Sequence, residues 1–376
     1  MDKLSIGFPR MHKEAGEVRD FLPDLVHHLA PLAGRLVIEE GSGAGMGIAP
    51  SAYVDGLDNV LWGTNEDCYD QEIVVQVRSP EDDEMARMKP GTLLFSMLHF
   101  NTHPRRVQLM RDLGIVPIAM DSVVDDDGVR LVENIRGTSW NAIWAGFRAL
   151  RKTYPDFEMP GREPIRVLIV GAGPVGRYAA EASAKYGDED LARGLARQAV
   201  MPVVASLIER SVTSNEPLLI REMSDVDMFV DATARYDPTK YIFCNDLLGY
   251  LPQHAVVVDL AADPYINLSA RSLQVKAIEG IPTGNLDEYE FPPDHPAFDA
   301  LPPGVDTRER RMTVSCYSWP GITPLECMKR YGRQVEPFLK LLLTRSWASL
   351  SVGAEDYFER ALCRGTLDGW LGGSDS

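Results

Sequence analysis

The sequence predicts an α/β protein of two domains, each with a parallel sheet, and three observations carry that prediction. A chain of 376 residues is longer than a single core comfortably holds. Along most of it, short apolar runs of strand length alternate with stretches of helical periodicity, the pattern of parallel sheets with crossover helices. Near the middle, one such run leads straight into a glycine-rich turn and an alanine-rich helix.

The first domain reads as follows. Leu4–Pro9 (LSIGFP) is a short apolar strand, and Phe21–Leu32 carries apolar residues at helical spacing. Arg35–Gly41 (RLVIEEG) is a second strand running into the glycine-rich GSGAGMG. EIVVQVRSP, TLLFSMLH and GIVPIAMD are further buried-strand candidates separated by polar stretches. A helix is predicted over Thr138–Tyr154, with Thr138 or Ser139 as its N-cap and Pro155 as its stop. The Pro/Gly-rich PDFEMPGREP then marks a boundary. A second αβ unit begins at IRVLIVGAGPVGRYAAEASAKYG and continues through DMFVDATA and AVVVDLAADP to KAIEGIPTGN. From Thr323 to Leu343 the chain is helical again, with a long apolar stripe. The expected domains are 1–137 with 320–376, and 138–319 between them.

Composition narrows the function. The formal charge is −17 and is spread along the chain, so no basic cluster is available to release phosphate counterions. Nucleic acid and anionic membrane are therefore not expected partners. The five cysteines (Cys68, Cys244, Cys316, Cys327, Cys363) are far apart and lack the spacing of a zinc site or a disulfide framework, so no metal is expected. The opening MDKLSIGFPRMHKE lacks a basic segment followed by an apolar one, and no run approaches the roughly 18 apolar residues of a membrane span. A cytoplasmic setting is the expectation.

Ile165–Val170 is followed at once by Gly171-Ala172-Gly173-Pro174-Val175-Gly176 and a helix. Strand, GxGxxG and helix in this order are what a dinucleotide-binding turn needs. The first glycine permits the tight turn, the second lets backbone approach a pyrophosphate, and the third allows close helix–strand packing. The helix N-terminus supplies free N–H groups and a favourable dipole. Such folds also show an acid about 20 residues on, after the second strand, that holds the adenosine ribose. Here that region reads as more helical than extended up to about Arg210. An inserted helix with a solvated end is the plainer reading. If VVASLI is instead a strand, Glu209 is the acid, and neighbouring Arg210 suits a 2′-phosphate. The cofactor expected is NAD or NADP, with NAD preferred.

Four side chains stand at strand ends or in the loops that follow. His99 ends LLFSML; a lone histidine there is either catalytic or a satisfied structural residue. Arg19, in the polar loop after the first strand, is otherwise a solvated surface charge. Arg78 closes IVVQV, an expensive place for an unpaired cation, so it either pairs or binds an anion. Asp263, in VVVDLAADP, is a site carboxylate or a turn cap before Pro264.

Together these segments resemble the alanine dehydrogenase and nicotinamide-nucleotide transhydrogenase family, with its lysine-forming saccharopine dehydrogenase relatives. IGFPRMHKEAGEVR resembles the family's opening strand and the loop that ends in a substrate-binding arginine, here Arg19. IVVQVRSP resembles the strand ending in a catalytic or substrate-binding lysine, GTLLFSMLHF the segment carrying the active-site histidine, and VVVDLAADP the stretch whose second aspartate lies near nicotinamide and substrate. RLVIEEGSGAGMG and WPGITPLE also have counterparts. The resemblance implies two Rossmann-like domains with a cleft between them and C-terminal helices returning to the first. It implies a catalytic set of His99, Asp263 and Arg78, substrate binding by Arg19 and Arg78, and cofactor contacts from Gly171, Gly173, Pro174, Val175, Gly176, Ala232 and Asp263. The implied activity is NAD(P)-dependent interconversion of an amino acid and its 2-oxo acid. The amine is then either ammonia or a second amino acid, as in an opine-type condensation. The partner expected is that small molecule, with a homo-oligomer left open.

The departure is Arg78, where the family has lysine. Arginine grips a carboxylate bidentately but stays protonated and is a poor base. Two alternatives follow: a non-catalytic dinucleotide-binding or regulatory homologue, and a cyclodeaminase-like enzyme that uses NAD without net redox change. Phe100, Trp140, Trp144 and Trp319 either widen a substrate site or belong to the core.

Overall fold

The computed structural model describes residues 3–235, 237–269 and 272–373; residues 374–376 of the expected C-terminal return lie outside the described residues. The chain divides into two compact units, Met1–Asn134 with Pro324–Ser376, and Ile135–Thr323.

The first unit begins β1 (Ser5–Phe8), α1 (Pro23–Leu29), β2 (Arg35–Glu39), α2 (Ser51–Val54), β3 (Val60–Gly63), α3 (Asn65–Tyr69) and β4 (Ile73–Arg78). It continues α4 (Asp82–Met85), β5 (Leu93–Met97), α5 (Pro104–Asp112) and β6 (Val116–Ala119). Its six strands pair in the order β3-β2-β1-β4-β5-β6, all parallel. This is the doubly wound order in which the winding reverses between β1 and β4, and ligands of such sheets gather at the carboxyl ends of the strands there. The centre of the sheet is covered on both faces. Ile73 and Val75 of β4 enter one apolar cluster and Val74 another, which is why IVVQV is apolar without alternation. Gly7 in β1 is required by close approach: a Cβ there would lie 1.9 Å from the Cys68 carbonyl oxygen.

The second unit runs α6 (Ile135–Thr153), β7 (Ile165–Val170), α7 (Pro174–Ser183), α8 (Glu189–Arg197), β8 (Val203–Ile208), α9 (Arg210–Thr213), α10 (Glu216–Met223), β9 (Met228–Asp231) and β10 (Val256–Asp259). A hairpin of β11 (Ile266–Ser269) and β12 (Ser272–Gln274) follows, then β13 (Glu290–Phe291) and β14 (Met312–Ser315). The sheet order is β13-β14-β10-β9-β7-β8. Its pairs are parallel except for the two-residue edge strand β13, which is antiparallel. Here the winding reverses between β7 and β9. The chain then returns to the first unit in α11 (Pro324–Thr344), α12 (Tyr357–Gly365) and α13 (Leu367–Gly373). Met328, Val335, Phe338 and Leu342 of α11 enter its core, where Phe338 meets Phe95 edge-on.

Two expectations are corrected. Val203–Ile208 is a strand, paired with β7 along its whole length, and the helical stretch before it ends at Arg197. The sequence hides this stop because Ala199, not glycine, takes the left-handed conformation there (φ 56°). The helix α6 starts at Ile135, so Ser139 is not a cap: it is buried and its Oγ donates to the Val175 carbonyl at 2.9 Å. No helix of the described residues is long and apolar enough to cross a membrane.

Candidate functional site

In the first unit the chemistry collects at the carboxyl ends of neighbouring strands. His99 lies just past β5 with its side chain half exposed, and its backbone is left-handed at φ 48°. For a histidine that conformation is uncommon and needs support. Asp121, just past β6, gives it. One carboxylate oxygen accepts the Leu98 and His99 amides at 2.9 and 3.1 Å, and the other stands 3.2 Å from His99 Nδ1. The ring is thereby fixed through Nδ1, leaving Nε2 as the nitrogen not bound to Asp121. Burial pushes the Asp121 carboxyl up, but the hydrogen bond and charge of His99 outweigh it and hold it below the usual range. His103, the N-cap of α5, has its ring centroid 6.2 Å from that of His99. Burial, then Arg106, holds it below the ordinary histidine range.

Arg78 ends β4 and pairs in register with Met97 of β5. Its Nη1 donates to Glu14 Oε2 at 2.6 Å. Arg19 is not solvated; it is buried, with Nε and Nη2 on the two Glu17 oxygens at 2.9 and 2.6 Å and Nη1 3.8 Å from Cys327 Sγ. Burial opposes its charge, but the hydrogen bonds and charge of Glu17 hold its pKa above the ordinary arginine value. Glu14 links the two arginines. It bonds Arg78 and lies in the field of Glu17 and Arg19, while burial, then Glu17, pushes its carboxyl up to about 8 against the pull of Arg19 and Lys13. A small pocket of about 10 Å³, roughly the room of one water, adjoins Arg19, Asp20 and Gln76.

In the second unit the glycine turn divides its labour. Gly171 has φ 111°, and a Cβ on it would lie 2.3 Å from the Ala232 carbonyl oxygen; a Cβ on Gly176 would lie 1.8 Å from the Gly171 oxygen. Both glycines are demanded by the protein itself. Gly173 meets nothing within 4 Å. It is the N-cap of the ten-residue helix α7, with Pro174 in the first turn, so open space lies where a pyrophosphate needs to approach. Val175 closes that first turn, and Ala232 follows β9 with its amide on the Val170 carbonyl at 2.8 Å. Glu209 stands immediately after β8, with Arg210 next, which is the place of the ribose acid. These residues fit a dinucleotide.

Asp263 follows β10 and is bound at 2.6 Å by Arg235, a buried side chain that also donates to the Val275 and Lys276 carbonyls. Ala262, just before it, is left-handed at φ 53° and donates its amide to Asp259 at 2.7 Å. Asp259 also receives Lys276 Nζ at 2.6 Å and Ser315 Oγ at 2.9 Å. Beside it in register lies Asp231. One Asp231 oxygen takes the Thr233 amide and hydroxyl at 3.0 and 2.7 Å, and the other is buried with no partner among the described residues. Burial, then the Asp259 charge, pushes Asp231 up to about 7.

The structure thus places Arg19, Arg78 and His99 at one carboxyl edge of the first unit, and the glycine turn and Asp263 at that of the second. Sequence reasoning did not single out Asp121, Glu14, Glu17 or Arg235. Asp121 had a signal, since it ends the strand candidate GIVPIAMD as His99 ends LLFSML. Phe100 and Trp319 are buried and belong to the core.

The fold and these edges define a doubly wound α/β protein with a dinucleotide-type turn in its second unit. Comparison with known proteins finds a family match for the first unit. Residues 13–133, the stretch that holds Glu14, Arg19, Arg78, His99 and Asp121, match the model of the alanine dehydrogenase/PNT N-terminal domain. The alanine dehydrogenase of Bacillus subtilis (strain 168) is 24% identical over 273 residues, covering 69% of this chain and 71% of that protein. The NAD(P) transhydrogenase subunit alpha of Haemophilus influenzae is 22% identical over 392 residues, covering 96% and 70%. Among solved structures, an L-alanine dehydrogenase superposes with a TM-score of 0.67 at 19% identity, over 96% of this chain and 94% of that one, which establishes a shared fold. Residues 13–133 thus match that domain family, and the chain as a whole is similar to alanine dehydrogenases and transhydrogenase alpha subunits.

Proposed function

We propose that this protein is an NAD(P)-dependent oxidoreductase acting on the CH–NH group of an amino acid, interconverting it with its 2-oxo acid. The observation that carries the reading is the His99–Asp121 couple beside Arg78 at the carboxyl edge of a domain of this family. A bound dinucleotide supplies the hydride chemistry. Gly171, Gly173, Pro174, Val175, Gly176 and Ala232 hold its pyrophosphate end, and Glu209 holds its ribose, which favours NAD. Arg78, with Arg19 behind it, attracts the substrate carboxylate. His99 exchanges a proton with the substrate's nitrogen or oxygen through Nε2, while Asp121 keeps Nδ1 occupied. Asp263, held by Arg235 at the carboxyl edge of the second unit, serves the dinucleotide there.

Mixing the protein with NADH or NADPH, ammonia and a panel of 2-oxo acids is expected to consume absorbance at 340 nm. Replacing ammonia with lysine or other amino acids tests the opine-type route. His99→Ala is expected to lower kcat by about 10²-fold or more. Dinucleotide binding with no turnover of any pair, or full turnover by His99→Ala, defeats the reading.

A further inference from the structure

The guanidinium expected to receive a substrate carboxylate already holds one of the protein's own. Arg78 Nη1 and Glu14 Oε2 are 2.6 Å apart at the edge where the sheet's winding reverses, and Arg19 is bound to Glu17 in the same way. A molecule carrying only a carboxylate displaces Glu14 from Arg78 and leaves its half-buried carboxylate without a counter-charge, so its binding requires Glu14 to take up a proton. A 2-amino acid is a zwitterion. Its carboxylate replaces Glu14 on Arg78 while its ammonium replaces Arg78 on Glu14, so charge is conserved and each charge-assisted hydrogen bond is exchanged for another.

We propose that the Arg78–Glu14 pair is the recognition element for a zwitterionic 2-amino acid, with Glu14 accepting the substrate's ammonium. This rests on the oxidoreductase reading above and adds to it the residue that distinguishes amine from oxo substrate. The groups facing Glu14 are Lys13, Glu17 and Arg19 from the loop after β1, Arg78 from β4 and Glu81 ahead of α4. Lys13 is paired with Glu81 and Arg19 with Glu17, while Arg78 contacts Glu14 directly. With its carboxyl pushed up to about 8, Glu14 also takes a proton from the ammonium. An N–H bond breaks, an O–H bond forms, and the amine lone pair is released for imine formation; no oxidant enters this step. In a 2-oxo acid complex Glu14 is held protonated instead. Arginine at 78 is then consistent with the chemistry, because the titrating partner of the pair is the carboxyl.

The test uses the full chain as wild type, Glu14→Gln and Glu14→Asp, with alanine and pyruvate, glutamate and 2-oxoglutarate, and lysine, from pH 6 to 10, each variant checked by thermal melting. Glu14→Gln is expected to raise KM for the amino acid about 10- to 100-fold, to change KM for the 2-oxo acid less than about threefold, and to remove an ionisation near pH 8 from the kcat/KM profile. Glu14→Asp is expected to restore part of the lost affinity and a displaced ionisation, and it carries the test if the glutamine variant does not fold. Equal changes in both KM values, or an unchanged pH profile, in a variant that melts like wild type overturn the proposal. Failure of the wild-type chain to turn over any pair is a different result; it defeats the oxidoreductase reading.

Discussion

The two sheets end in opposite kinds of site. At the carboxyl edge of the first unit the candidate groups are charged side chains in pairs: Arg78 on Glu14, Arg19 on Glu17, His99 on Asp121. At that of the second, the working surface is backbone, with Gly173 open and Gly171 and Gly176 closed by their neighbours. The charged groups there, Asp259 with Lys276 and the adjacent Asp231, are sealed below it. One edge offers partners that a ligand can replace, the other a shape that a ligand can enter. Both edges hold a non-glycine residue in the left-handed region, His99 in one and Ala262 in the other. In each case an aspartate at a strand end accepts that residue's own amide.

The largest expected effects lie in the glycine turn and separate its two roles. Gly176→Ala puts a Cβ 1.8 Å from the Gly171 oxygen, a backbone clash that requires α7 to move. It is expected to cost about 3 kcal/mol or more of stability. Gly173→Ala meets open space and is expected to melt within about 0.5 kcal/mol of wild type while weakening NADH binding about 10-fold or more. Paired melts and NADH fluorescence titrations decide this. If both variants melt alike and bind alike, the turn is a structural corner and the contrast between the edges collapses.

That contrast also explains what was legible in the sequence. A backbone site is written in local sequence: VLIVGAGPVG contains the strand, the turn and the helix start, and each glycine answers a steric demand close by. The strand-end positions of Arg78, His99 and Asp263 were legible for the same reason, since an apolar run ending in a polar residue is a local pattern. Their partners were not. Asp121 reaches His99 from the next strand of the sheet, Glu14 reaches Arg78 across 64 residues, and Arg235 reaches Asp263 across 28. Such pairings depend on strand order, which periodicity does not encode. Arg19 shows the consequence: alone in a polar loop it reads as a surface charge, but packed against Glu17 and Cys327 it is buried. The strand β8 was obscured differently, by a helix stop without glycine or proline.

Asp121→Asn tests the first edge and is expected to rank next. One carboxylate oxygen accepts two backbone amides while the other faces His99 Nδ1. An asparagine that keeps its oxygen on the amides presents its NH₂ to Nδ1, which forces the proton onto Nε2 and reverses the tautomer. Loss of kcat on the order of 10²-fold with little change in KM is expected, and an unchanged kcat would make Asp121 a loop anchor only.

The smallest expected effect belongs to the sealed cluster of the second unit and shows as a pH dependence of stability. Asp231 is pushed from 3.8 to about 7 by burial and by Asp259, so the folded state holds its proton more tightly than the unfolded state does. The stability this contributes is fully present below about pH 4, declines as the unfolded chain releases its proton, and is lost once pH rises through about 7. The limit set by that shift is about 4 kcal/mol, and relaxation around Asp231 is expected to leave about 2 kcal/mol. Asp231→Asn keeps an acceptor for Thr233 and removes the ionisation. The variant is expected to match wild type below about pH 4, to exceed it by about 2 kcal/mol at pH 8.5 and to show the flatter profile in urea unfolding between them. A variant less stable than wild type at pH 8.5 would mean that Asp231 is ionised there and that its charge is compensated. The second edge would then, like the first, depend on a charge pair.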